Sequence, residues 1–280
     1  MAEKLKRESN HSHSKISKSK VILVGIFLLG LIVTRFWNLE SNGVFFWDQA
    51  VELSRIHQYY VEKTLTLVGP ISEDNTLVYS SLNDYMLMPF AVIGRFDPLS
   101  ITWGAAFWGF LTAILIFLLV SKINRKFLLM ITVLIMIWFP LIEASHSYWN
   151  PYLVPFWIAI GLLLFQFKNS WSYFAAGLAF GLSIHNHYLA IIAVATFISL
   201  ASLSLVRQKK FLHLILIFAG LAAALAPFFI FDFLHPPGLF LTRALYFNRS
   251  HLEPSFVLII KGISVLPIPF VIESSVNFSV

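Results

Sequence analysis

Asp48, Glu52, Arg55 and Tyr59 recur at spacings of four, three and four residues just beyond the first strongly apolar segment of the chain. On a helix over Trp47–Val61 those spacings bring the four side chains to one face, while Ala50, Leu53 and His57 point elsewhere. A carboxylate within hydrogen-bond reach of a hydroxyl can take its proton as the oxygen attacks. A guanidinium fork suits a phosphate. Asp48, Glu52, Arg55 and Tyr59 therefore read as the polar edge of an interfacial helix turned into a cavity, with Asp48, Glu52 and Arg55 as candidate site residues. The plainer reading of the same stretch is a solvated polar face with a local ion pair between Glu52 and Arg55.

Other candidates lie further along. Asp97, in Arg95-Phe96-Asp97-Pro98, either faces substrate or N-caps the helix that follows, and capping is the favoured reading. In Tyr148-Trp149-Asn150-Pro151, Pro151 suits a first helical turn, Asn150 can cap it, and Trp149 suits a membrane interface. Asn150 in a substrate-cavity wall is the second reading. His185 and His187 are two residues apart and diverge on a regular helix, so bonds to neighbours are expected rather than a metal. His146 and His235 are expected on the same side, but no HxxxH or HExxH spacing supports a site. The cofactor stays undetermined, with a divalent cation as the candidate. Arg243 and Arg249 can bind phosphate or simply anchor to lipid headgroups. Gly69-Pro70-Ile71 reads as a turn.

The elements that must hold these residues are membrane helices. The chain is 58% hydrophobic and 12% charged, with a mean hydropathy of +0.77. Continuous apolar runs of about 17–25 residues recur, long enough for a hydrocarbon core of about 30 Å. Backbone groups in lipid must be satisfied internally, which, with runs that do not alternate, selects helices. The expected spans are about Val21–Trp37, Leu99–Val120, Phe127–Ala144, Tyr152–Phe167, Trp171–Ile184, Tyr188–Leu205 and Phe211–Phe233. Phe256–Val271, interrupted by Lys261, Pro267 and Pro269, is either an eighth span or an interfacial helix. Residues 1–20 read as a disordered basic tail, and residues 21–280 as one membrane domain with a long exterior loop over 38–98.

The net charge of +6 sets orientation rather than recruiting nucleic acid. Lys4, Lys6, Arg7, Lys15, Lys18 and Lys20 crowd the tail, and Lys122, Arg125, Lys126, Lys168, Arg207, Lys209 and Lys210 fall in loops on the same side. The positive-inside rule puts that side in the cytosol, and most of the acids, Asp48 among them, on the exterior face. The absence of cysteine excludes disulfides and thiol chemistry. The first apolar run is long for a signal peptide and lacks a small-residue cleavage site before Arg35. Gly177 and Gly181 form a small-xxx-small pair suited to close helix packing.

In order and spacing these segments resemble the polyprenyl-phosphate-sugar-dependent glycosyltransferases of the GT-C fold, closest to family 39, the protein mannosyltransferase-like group. The residues carrying the resemblance are Phe46-Trp47-Asp48-Gln49-Ala50, Gly69-Pro70, Asp97-Pro98, Trp149-Asn150-Pro151, Gly177–Tyr188 and Phe231–Arg243. The resemblance implies an all-α polytopic bundle in the plasma membrane, with interfacial helices in the exterior loop. It implies inverting transfer of a sugar from a polyprenyl-phosphate donor to a protein, lipid or glycan hydroxyl, with Asp48 as base. Glu52, Arg55, Asp97, Asn150, His187 and Arg243 would then line the substrate. Gln49 stands where many members carry a second acid, and many members extend further toward the C-terminus. The alternatives are a transporter or flippase of lipid-linked or polar solutes, and an inactive fragment.

Overall fold

The computed structural model describes residues 18–71, 77–123, 128–236 and 238–240. Almost all regular structure among them is helical. In chain order the helices are α1 (Lys18–Phe36), α2 (Leu39–Asn42), α3 (Trp47–Glu62), α4 (Leu82–Ile93), α5 (Pro98–Ile123), α6 (Leu128–Ile137), α7 (Phe139–His146), α8 (Val154–Phe165), α9 (Ser170–Asn186), α10 (Ala190–Arg207) and α11 (Phe211–Leu234). A 3-10 turn (Asn150–Leu153) leads into α8, and a hairpin of β1 (Val68–Ile71) and β2 (Val78–Ser80) separates α3 from α4. The residues before Lys18, the cations Arg243 and Arg249, and the segment 256–271 lie outside the described residues.

Among the described residues, α5, α10 and α11 are long and apolar enough to cross a membrane. Only 22–28% of their most apolar windows is buried inside the protein, so most of their apolar surface faces outward. Water does not tolerate contiguous apolar surface on that scale, whereas lipid does. This is a helical membrane protein. The seven or eight expected spans are not all of full length. Ile22–Phe36 and Asn150–Phe165 are shorter apolar helices, and α9 has 17 residues.

The expected third span is broken. α6 and α7 meet at Trp138 with a bend of 45°, and count as one span only if the bent pair crosses together. Pro140 supplies the cause. It has no N–H to give the Met136 carbonyl four residues earlier, and the helix also lets go of Ile135. Arg35, at the end of α1, fills both vacancies: Nη1 donates to Met136 O at 3.1 Å and Nη2 to Ile135 O at 2.8 Å. Arg35 is fully buried.

The Gly69-Pro70 turn expected from sequence is part of a strand instead. β1 pairs antiparallel with β2, Val68 opposite Ser80 and Ile71 opposite Val78, with an irregular register between. A strand tolerates proline where the ladder is interrupted. Gly69 is required because a Cβ there would run into the Ser80 backbone.

Two of the packed regions position the residues that matter most here. α9 and α11 approach so closely that a Cβ on Gly177 would strike the Ile217 carbonyl, and one on Gly220 the Phe174 carbonyl. Around them Tyr173, Ala176, Phe180 and Ile184 pack with Val194 and Ile198 of α10 and Ile217 of α11. In the second region, Leu53 and Ile56 of α3 pack on Leu87 and Ala91 of α4 and Ile101 and Ala105 of α5. Burying a Leu or Ile side chain contributes roughly 1.5–3 kcal/mol. That burial fixes the rotation of α3, and with it which of its polar residues turn inward.

Candidate functional site

The buried arc of α3 comprises Gln49, Glu52, Leu53, Ile56 and Tyr59. Leu53 was expected to face away from Glu52, and it is buried beside it, because the apolar residues set the packing face. Asp48 lies on the exposed rim of the first turn. Its carboxylate forms no ion pair among the described residues. Gln49 anchors this turn: its Oε1 accepts from Phe46 N at 2.8 Å, and its Nε2 donates to Tyr148 O at 2.6 Å. A parallel bridge between Val44 and Ser147 reinforces the same junction.

About two turns further along α3, Arg55 grips Asp84 of α4 with both arms of its fork. Nε donates to Oδ2 at 2.7 Å and Nη2 to Oδ1 at 2.8 Å. Asp84 is fully buried in the first turn of α4, where unpaired helical N–H groups favour a negative charge. Glu52 is also buried. Its Oε1 stands 3.7 Å from Arg55 Nη2, an ion pair too long for a hydrogen bond. Its Oε2 has no partner among the described residues. The local ion pair expected between Glu52 and Arg55 is therefore present, but it is the weaker of the two contacts Arg55 makes.

A neutral network adjoins the charges. The Asn83 amide donates to both the Tyr148 hydroxyl and Asn150 Oδ1. Asn83 Oδ1 accepts from Asn186 Nδ2 at 2.9 Å. Asn83, Tyr148, Asn150 and Asn186 are all buried. Asn150 thus joins the site rather than capping a helix with its side chain. Burial comes first in raising the Glu52 carboxyl well above its ordinary range; Asp84 adds to this and Arg55 opposes it. Burial, then the carboxylates of Glu52 and Asp84, likewise raise the Tyr148 phenol. Tyr59, whose hydroxyl donates to Val68 O at 3.0 Å, is pushed up to about 12, again mainly by burial.

The remaining sequence candidates lie elsewhere. Asp97 Oδ1 accepts from Leu99 N at 2.8 Å, the capping contact expected of it. It also borders a cleft of about 290 Å³ with Glu40, Phe45 and Thr102. His187 ends α9, stacks on Tyr79 with centroids 5.0 Å apart, and accepts from Leu189 N at 3.2 Å. Burial lowers it to about 4. His185 is separate and buried, with Nδ1 3.1 Å from Ser80 Oγ and Nε2 2.7 Å from Ala224 O. Arg243 is outside the described residues.

The described residues offer no preformed all-protein cage for a divalent ion. Among the described residues no group of three or more His, Cys, Asp or Glu side chains can hold a metal, and the Arg55 fork occupies both oxygens of Asp84. Sequence spacing brought out Glu52, Arg55 and Asn150. It did not single out Asn83, Asp84, Tyr148 and Asn186 as a set. The available signal was the polar pair Asn83-Asp84 at the head of an otherwise apolar stretch to Ile93.

Comparison with protein-family models, with curated proteins and with solved structures returns no match for this chain.

Proposed function

We propose that this protein is an inverting membrane glycosyltransferase that moves a sugar from a polyprenyl-phosphate donor to an acceptor hydroxyl. The observation that carries this reading is Asp48: an exposed carboxylate on a helix anchored through Gln49 and packed on α4 and α5, one turn before the buried Glu52. In this reading Asp48 takes the hydroxyl proton as the acceptor oxygen attacks the anomeric carbon. The bond to phosphate breaks, and the prenyl phosphate leaves with the electron pair. Arg55, with donors left over from its pair with Asp84, supplies positive charge toward the departing phosphate. Asn150 and Glu52 hold the walls, and the exposed apolar faces of the long helices accommodate the prenyl chain. The resemblance to GT-C family 39 supports the same assignment, including the protein mannosyltransferase-like reaction type.

The proposed orientation follows the basic residues: N-terminus in the cytosol, plasma membrane, and the Asp48 surface on the exterior face. Membranes containing the protein, incubated with radiolabelled polyprenyl-phosphate sugars, should transfer label to endogenous acceptors. Asp48→Asn should abolish that transfer at unchanged protein level; full transfer by this variant rejects Asp48 as base.

A transporter is the second reading, and one observation favours it: the break at Trp138, with the buried Arg35 on its free carbonyls. Broken helices with buried charge are common in transport sites. Flux of a lipid-linked sugar into proteoliposomes, without transfer to any acceptor, would favour this reading over the first.

A further inference from the structure

Glu52 and Asp84 are two buried carboxyl groups served by a single cation. Arg55 commits two charge-assisted hydrogen bonds to Asp84, at 2.7 and 2.8 Å. Glu52 receives only a 3.7 Å approach to one of its oxygens, and the other oxygen meets nothing among the described residues. Every other charged or titratable group bearing on Glu52 is an acid. Asp48 stands one turn earlier on α3, Asp84 is on α4, and the Tyr148 phenol approaches from the turn before α8. Asn83 of α4 and Asn150 of the 3-10 turn, which bond each other, are neutral amides and add no charge. An anionic Glu52 would leave the cluster one positive charge short in a place sheltered from water. Burying an unbalanced carboxylate costs far more than burying the neutral acid.

We propose that Glu52 is a proton-binding site: at neutral pH its carboxyl group is held as the neutral acid, the proton cancelling the charge that Arg55, committed to Asp84, leaves unbalanced. The proton is the fitting cation because Glu52 Oε2 is buried with no partner among the described residues, and no group of three or more His, Cys, Asp or Glu side chains among them could hold a metal. Burial and the neighbouring carboxylates act in the same direction. The sign of the consequence is definite. The folded state keeps a proton that the unfolded chain releases above the ordinary carboxylate range. Stability therefore falls as pH rises from that range toward the folded pKa. This inference does not depend on the transferase reading.

The test uses the full chain in lipid nanodiscs and compares wild type with Glu52→Gln, which mimics the neutral acid. The glutamine variant should unfold at or above the wild-type midpoint at pH 8, and the two curves should converge toward pH 4. A clear fall in its midpoint at pH 8 would overturn the proposal, because it would mean a stabilising anion had been lost. Infrared spectra of protein with isotope-labelled glutamate provide a measurement on the wild type alone. A protonated-carboxyl stretch at pH 7 is expected, and its absence overturns the proposal whether or not the variant folds. Magnesium or sodium ions, titrated at constant ionic strength, should leave the wild-type midpoint unmoved. A rise specific to wild type would assign the missing charge to a metal instead.

Discussion

Arg55 is largely and Arg35 fully withdrawn from solvent, yet the first meets a carboxylate and the second meets two carbonyl oxygens and the Thr34 hydroxyl, all neutral. Arg55 lies between two helices of the segment joining α1 to α5, and Asp84 satisfies it in bidentate fashion. Its charge is cancelled locally, and a polar cluster of acids, amides and a phenol is built around the pair. Arg35 ends α1 and caps two carbonyls at the break, that of Met136, which Pro140 leaves without a helical donor, and that of Ile135. Its balance comes from dipoles rather than from an opposite charge. The difference separates two uses of a buried guanidinium: one organises a site, and the other fixes the geometry of a broken helix.

The largest effect should come from removing the carboxylate on the first side of this comparison. Asp84→Asn takes from the part-buried Arg55 its hydrogen-bonded anion and leaves only the longer approach of Glu52, and breaking a buried pair costs up to roughly 3–5 kcal/mol. Denaturation of the purified protein in lipid should register that loss together with collapse of the Asn83–Tyr148 network. A change below about 1 kcal/mol would mean that solvent or Glu52 already balances Arg55. A smaller effect is expected at the second arginine. Arg35→Met strands the Ile135 and Met136 carbonyls, each unsatisfied group costing about 1–3 kcal/mol. Pro140→Ala restores an N–H toward Met136, so the double variant should lose less than the sum of the two single changes. Strict additivity would break the proposed link between the proline and the arginine.

The smallest effect belongs to His187, which has neither kind of partner. Burial holds its imidazole neutral down to about 4, while the unfolded chain takes up a proton at its ordinary value. Between those two values the unfolded state binds more protons, so stability is lost as pH falls through that window. His187→Gln should flatten this acid limb in a thermal-unfolding series. An unchanged limb would assign the loss to other groups.

Much of this arrangement was legible in residue order. Long apolar runs announced the helices, and Asp97 before Pro98 announced a cap that is present. The Gly177–Gly181 pair announced a close helix crossing, and the Ile217 carbonyl lies against Gly177. Other features were hidden because they depend on contacts between distant segments. Asn83 meets Asn150 and Asn186 across separations of 67 and 103 residues, and no local periodicity encodes such a meeting. Pro70 was read as a turn because turn chemistry is a local signal, whereas its strand exists only through pairing with β2.

Hydropathy and charge type thus established by themselves that this chain forms membrane helices, and that a polar helix follows the first of them. Those are properties of short windows, governed by transfer of side chains and backbone out of water. Which acid is buried and which is exposed was decided only in three dimensions. Ile56 and Leu53 found their apolar partners on α4 and α5, and the rotation that buries them turned Glu52 inward and left Asp48 at the rim. A helix can bury only one arc of its surface, and the partners that choose the arc are known only once the chain has folded.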